Sequence, residues 1–117
     1  MNTQMIMTLN LKDGSILLSR GVLNALDWPK QIQIRINPAE KKLMLRACTV
    51  EDRDAVVVPN DQTEAVEISA RVFLKKIREL VGWEGKLPRA CCGEYLSAHQ
   101  AVIFSLEDAQ PLELVQG

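Results

Sequence analysis

The chain has a single histidine, His99, and only three cysteines, Cys48, Cys91 and Cys92. An odd number with two adjacent gives no disulfide framework. A transition-metal centre needs closely placed further ligands, which one imidazole does not supply. Neither a metal nor a cofactor is expected, and the thiols read as reduced, mostly buried groups of an intracellular protein. Net charge is nearly absent as well: 14 basic residues face 15 acidic ones. That removes whole-domain basicity as an argument for nucleic-acid binding but leaves room for a local basic face. No apolar run approaches the roughly 20 residues that span a bilayer. Met1–Met7 lacks both the basic start and the apolar stretch of a secretory signal, so a cytoplasmic location without a membrane partner is expected. A glycine-rich phosphate loop, a metal motif and a nucleophile elbow are all missing. His99 could serve Cys91 or Cys92 as a base only if the fold brought them into contact. No catalytic residue is expected, and the chain does not read as an enzyme.

What is present is ample apolar material. The 117 residues are 47% apolar and 25% charged, enough for one domain over 1–117 with one core. Met5, Met7, Leu9 and Leu11 alternate with Ile6, Thr8, Asn10 and Lys12, as in a strand with one strongly apolar face. Asp13-Gly14 suits a two-residue hairpin turn. Ile16-Leu17-Leu18 is apolar on both faces and is expected to be buried. Ser19 is placed to cap a short helix over Arg20–Leu26, which Trp28-Pro29 stops. Ile32, Ile34 and Ile36 alternate with Gln31, Gln33, Arg35 and Asn37, and after a polar turn Leu43 and Leu45 carry the returning strand.

After the polar stretch 49–54 the pattern starts again. Val56–Val58 is a strand, Pro59–Gln62 a turn, and Val66–Ser69 a second strand. Ser69 would cap a helix from about Ala70 to Val81 with Phe73, Leu74, Ile77, Leu80 and Val81 on one face. Gly82 supplies its left-handed stop. A strand near Leu87–Cys92, a turn around Gly93 and a strand near Gln100–Leu106 follow. Ile16–Ser19, helix, Trp28 thus matches Val66–Ser69, helix, Trp83, which argues for duplication. The expected fold is mainly β with two helices (α+β): a pseudo-two-fold barrel from two tandem ββαββ units, 4–47 and 56–108, joined by a linker over 48–55.

Gly14-Ser15-Ile16-Leu17-Leu18-Ser19 and Ala25-Leu26-Asp27-Trp28 resemble the AbrB/SpoVT-type swapped-hairpin barrels. There the first hairpin reads Gly-Arg-[Ile/Val]-x-[Ile/Leu]-Pro, followed by a helix ending Leu-Gly. Ser15 stands in the place of the family's arginine, and Ser19 in that of its proline. The resemblance covers residues 4–47 well and 56–108 more loosely. It implies a barrel that needs two units, carried in one chain as in MraZ-like members. It also implies a DNA-binding transcriptional regulator with double-stranded DNA as partner. The alternative is a protein-interaction module, antitoxin-like or assembly-forming, without DNA contacts. A protein partner and a homo-oligomer stay open under both.

The candidate DNA-binding residues are Lys12, Arg20, Lys30, Arg35 and Arg46 in unit one and Arg71, Lys75 and Arg78 on the second helix. Strand alternation puts Arg35 opposite Ile34 and Ile36, on the outer face. The helical spacing of Arg71, Lys75 and Arg78 places them on one side. A phosphate contact is the sharper reading of both groups and a solvated face the plainer one. Trp28 and Trp83 are read as rings that seal each helix against the barrel.

Overall fold

The computed structural model describes residues 4–48, 55–58, 65–85 and 87–112. Among these residues nine strands and two α-helices follow in the order β1 (Ile6–Asn10), β2 (Ser15–Leu18), α1 (Arg20–Ala25), β3 (Gln31–Asn37), β4 (Lys42–Ala47), β5 (Ala55–Val57), β6 (Val66–Ser69), α2 (Arg71–Val81), β7 (Arg89–Leu96), β8 (Ala101–Ser105) and β9 (Gln110–Pro111), with a 3-10 turn over Leu106–Asp108. The protein is mostly β, and eight of the strands form a nearly closed barrel in the order β5-β3-β4-β8-β7-β1-β2-β6, with β9 added beside β7. Among the described residues no helix is long and apolar enough to cross a membrane.

Alternation builds the core. Met7, Leu9, Ile16, Leu18, Ile32, Leu43, Leu45, Val102 and Phe104 point inward and are buried, and α1 adds Val22 and Leu23 while α2 adds Leu74 and Ile77. At about 25 cal/mol per Å² of apolar area removed from water, this shared interior is the main favourable term holding the barrel. Leu17, expected to be buried, is 38% exposed, because the pleat turns it outward between the inward Ile16 and Leu18.

Several local expectations give way to longer-range contacts. The β1–β2 connection is a four-residue loop over 11–14, closed by Gly14 N–H donating to the Asn10 carbonyl at 2.9 Å. Only its last residue, Gly14, is left-handed (φ +73°). Ser19 stands at the N-cap of α1 without making a capping bond. Its Oγ accepts from Ile6 N–H at 2.9 Å and donates to the Gln4 carbonyl at 3.0 Å, extending the β1–β2 pairing where the chain leaves the sheet. Ser69 belongs to β6, and Ala70 is the N-cap of α2. Gly93 is a strand residue inside β7; the turn comes at 97–100. Leu87 lies before β7 and is 48% exposed. Gly82 does close α2 in the left-handed conformation (φ 77°).

The largest difference is the partner of β5, placed by the sequence as the opening strand of the second unit. β5 pairs antiparallel with β3, Gln31 opposite Val57 and Gln33 opposite Ala55. β1 likewise pairs with β7, Met7 opposite Cys91. Among the described residues β5 and β6 form no ladder; the expected turn over 59–62 and the polar stretch 49–54 lie outside the described residues.

Candidate functional site

The β3–β4–β8–β7 face carries the clearest grouping of polar function. Arg35 lies opposite Met44, Met44 opposite Ile103, and Ile103 opposite Glu94, so these side chains form one row across the outside of the barrel. Lys42 and Arg46 flank Met44 on the same face of β4 by alternation. β3 and β4 contain Arg35, Lys42 and Arg46 and no carboxylate.

Part of that row, Arg35, Met44 and Ile103, lines a trough, and Glu94 lies outside its lining. Turn 38–41 bounds one end with Pro38 and Glu40, and turn 97–100 bounds the other with His99. Met44, Ile103 and Leu96 give an apolar floor, and Arg35 and Lys42 lie along one flank. The volume is about 550 Å³, within the range of small-molecule sites. His99 also lines the adjoining cleft, with Arg46, Tyr95 and Gln100. Among the described residues no carboxylate pairs with Arg35 or Lys42; Lys41 is the lysine engaged, 3.5 Å from Glu107. Glu40 instead accepts from Asn37 Nδ2 at 3.3 Å.

The eight candidate cations fall into separate places. Arg35 is exposed on the trough. Arg46 is half-buried, and its Nε donates to Gln33 Oε1 at 2.8 Å. That bond accounts for Gln33, which alternation assigns to the exterior and which is buried. Lys12 is exposed in the β1–β2 loop, where Arg71 meets it from α2: Arg71 Nη2 donates to the Asp13 carbonyl at 3.5 Å. Lys75 and Arg78 line a shallow depression with Trp83, and Arg78 Nε donates to the Trp83 carbonyl at 3.3 Å. Arg20 opens α1 and Lys30 precedes β3, both exposed. The fold brings Arg71 to the loop that carries Lys12, and Arg35 to the neighbourhood of Arg46. It does not gather all eight.

Both tryptophans are half-buried and pack against the core. Trp28 donates from Nε1 to Asn24 Oδ1 at 2.6 Å, and the Arg89 guanidinium lies over the Trp83 ring, 4.7 Å from its centroid. The adjacent thiols point to opposite faces, Cys91 buried and Cys92 exposed. Burial, with smaller contributions from Asp108 and Cys92, pushes the Cys91 thiol up to about 12. It stays protonated and donates to the Ser105 carbonyl at 3.5 Å.

Lys42, Met44, Ile103 and Leu96 were not singled out as site residues in the sequence. The signal for Met44 and Lys42 was their place opposite Leu43 and Leu45; the adjacency of Ile103 comes only from the β4–β8 ladder. Among the described residues no group of three or more His, Cys, Asp or Glu could hold a metal ion. No protein-family model, no curated protein and no solved structure matches this chain.

Proposed function

We propose that the protein is a double-stranded-DNA-binding transcriptional regulator acting in the cytoplasm, built as a fused tandem of two ββαββ units of the AbrB-like kind. The observation that carries the binding reading is the acid-free pair of strands β3 and β4, which present Arg35, Lys42 and Arg46 together on one outer face. A cationic strip of this sort meets phosphates without whole-chain basicity.

Two features support the tandem architecture. The ladder order reads the same when β1–β4 are exchanged for β5–β8: β1 pairs with β7 as β5 pairs with β3, and β2–β6 and β4–β8 map onto themselves. Among the described residues two ladders lack a counterpart: β1–β2, whose counterpart would be β5–β6, and β7–β9, which has no equivalent beside β3. The hairpins β3–β4 and β7–β8 also share a four-residue turn whose last residue is left-handed, Lys41 (φ 53°) and Gln100 (φ 49°).

A second reading, a protein-interaction module, is favoured by the engagement of Arg46, Arg71 and Arg78 in hydrogen bonds within the fold. A fluorescence titration against duplex DNA from the promoter of its own operon, at two salt concentrations, separates the two. The regulator binds that duplex more tightly than a random one. Each lost phosphate contact, as in Arg35→Ala, lowers the log–log salt slope by about 0.9 and leaves the melting temperature nearly unchanged. Binding no tighter than to random duplex at low salt, or indifference to Arg35→Ala, rejects the regulator in favour of the interaction module.

A further inference from the structure

The trough has a composition that duplex binding does not use. Phosphates need cations; they do not need a floor of Met44, Ile103 and Leu96 between two turn walls. Such a floor attracts an apolar body, since covering it removes hydrocarbon from water. Arg35 and Lys42 occupy diagonal positions on neighbouring antiparallel strands, because Arg35 is opposite Met44 and Lys42 is two residues from Met44. Diagonal neighbours on a sheet lie about 7–8 Å apart, close enough for two long side chains to converge on one anionic group. Glu40 is held by Asn37, and among the described residues neither cation has an acidic partner.

From this we infer that the trough binds an amphipathic carboxylate, an unbranched acid of medium chain length. Its carboxylate is held by Arg35 and Lys42, and its chain lies along Met44 and Ile103 toward Leu96. The distance available fits: from Met44 on β4 across Ile103 on β8 to β7, which carries Leu96, is two strand spacings, roughly 10 Å. The charge fixes one end of the ligand and the floor fixes its direction, the usual division of labour in a small-molecule site. This site does not rest on the duplex reading, although it shares Arg35 and Lys42 with it.

The test is isothermal titration of the full chain, without DNA, by octanoate kept below its micellar concentration. Acetate supplies the charge without the chain, and 1-octanol the chain without the charge. Saturable binding of one octanoate per chain is expected, with acetate and octanol at least about tenfold weaker. Arg35→Ala with Lys42→Ala weakens octanoate by about tenfold or more and brings it level with octanol. Met44→Asp abolishes binding by placing a like charge under the chain. The melting temperatures of the charge variants stay near that of the parent, as expected for exposed side chains. No saturable octanoate binding overturns the inference, as does binding of equal strength by octanol or by the double variant. Failure of the DNA titration alone leaves it standing.

Discussion

Gly93 shows how a single residue is misread without its neighbour across the sheet. Glycine punctuates local structure and reads here as a turn, yet Gly93 sits within β7 opposite Phe104. A Cβ there would lie 2.6 Å from the Phe104 ring and 2.7 Å from Val102 Cγ1. The missing side chain is space that the buried ring fills. Gly93→Ala should therefore destabilise by about 1–3 kcal/mol, the usual range for overpacking, and a denaturant melt measures it. Cys91 and Cys92 make a second case. The strand period alone puts them on opposite faces, and burial then separates their chemistry. At pH 8 iodoacetamide should alkylate Cys92 in the folded protein well before Cys91. The unfolded Cys91 thiol ionises near 9 and the folded one near 12. Its contribution to stability is thus whole below pH 9 and lost as pH rises through that window. A fall in melting temperature between pH 9 and 11 that is reduced in Cys91→Ala checks the sign.

The elements divide by the range of their causes. Strands β1, β3 and β4 and the apolar face of α2 were legible because alternation and helical spacing are local properties. The left-handed stop at Gly82 was legible for the same reason. The partner of β5 was not, since its ladder with β3 joins residues that no local period links. Nor was the role of Ser19, whose hydroxyl could satisfy either its own helix or a distant strand. The sheet wins because Ile6 N–H and the Gln4 carbonyl at the end of β1 would otherwise lack these bonds. Ser19→Ala should cost about 1–3 kcal/mol by leaving Ile6 N–H unsatisfied, visible as faster hydrogen exchange at Ile6 with α1 exchange little changed. A helix cap would give the opposite pattern, with the first turn of α1 loosened. The trough belongs with the illegible elements: the outward position of Arg35 could be read from alternation, but the apolar floor exists only once β4 lies beside β8.

Across the whole molecule, the ladders bind the first half of the chain to the second. β1 has β2 on one side and β7 on the other, while β3 lies between β4 and β5. A polypeptide ending after β4 would carry β1, β2 and β4 each missing one neighbour, and β3 missing β5. It would also lack Phe104, Val102 and Ile77, which are buried in the shared core. Such a fragment should show no cooperative thermal transition by circular dichroism; a sharp melt for residues 1–48 alone would contradict this account. During synthesis the N-terminal half therefore has no finished sheet to enter, and its apolar strand faces await residues made later. Because so many pairings join distant parts of the chain, loop closure precedes most of the stabilisation. Refolding should accordingly fall in the millisecond-to-second regime of non-local β proteins. For as long as that search lasts, the open edges of β1 and β3 are templates for another copy's strands, so yield on refolding should drop as protein concentration rises.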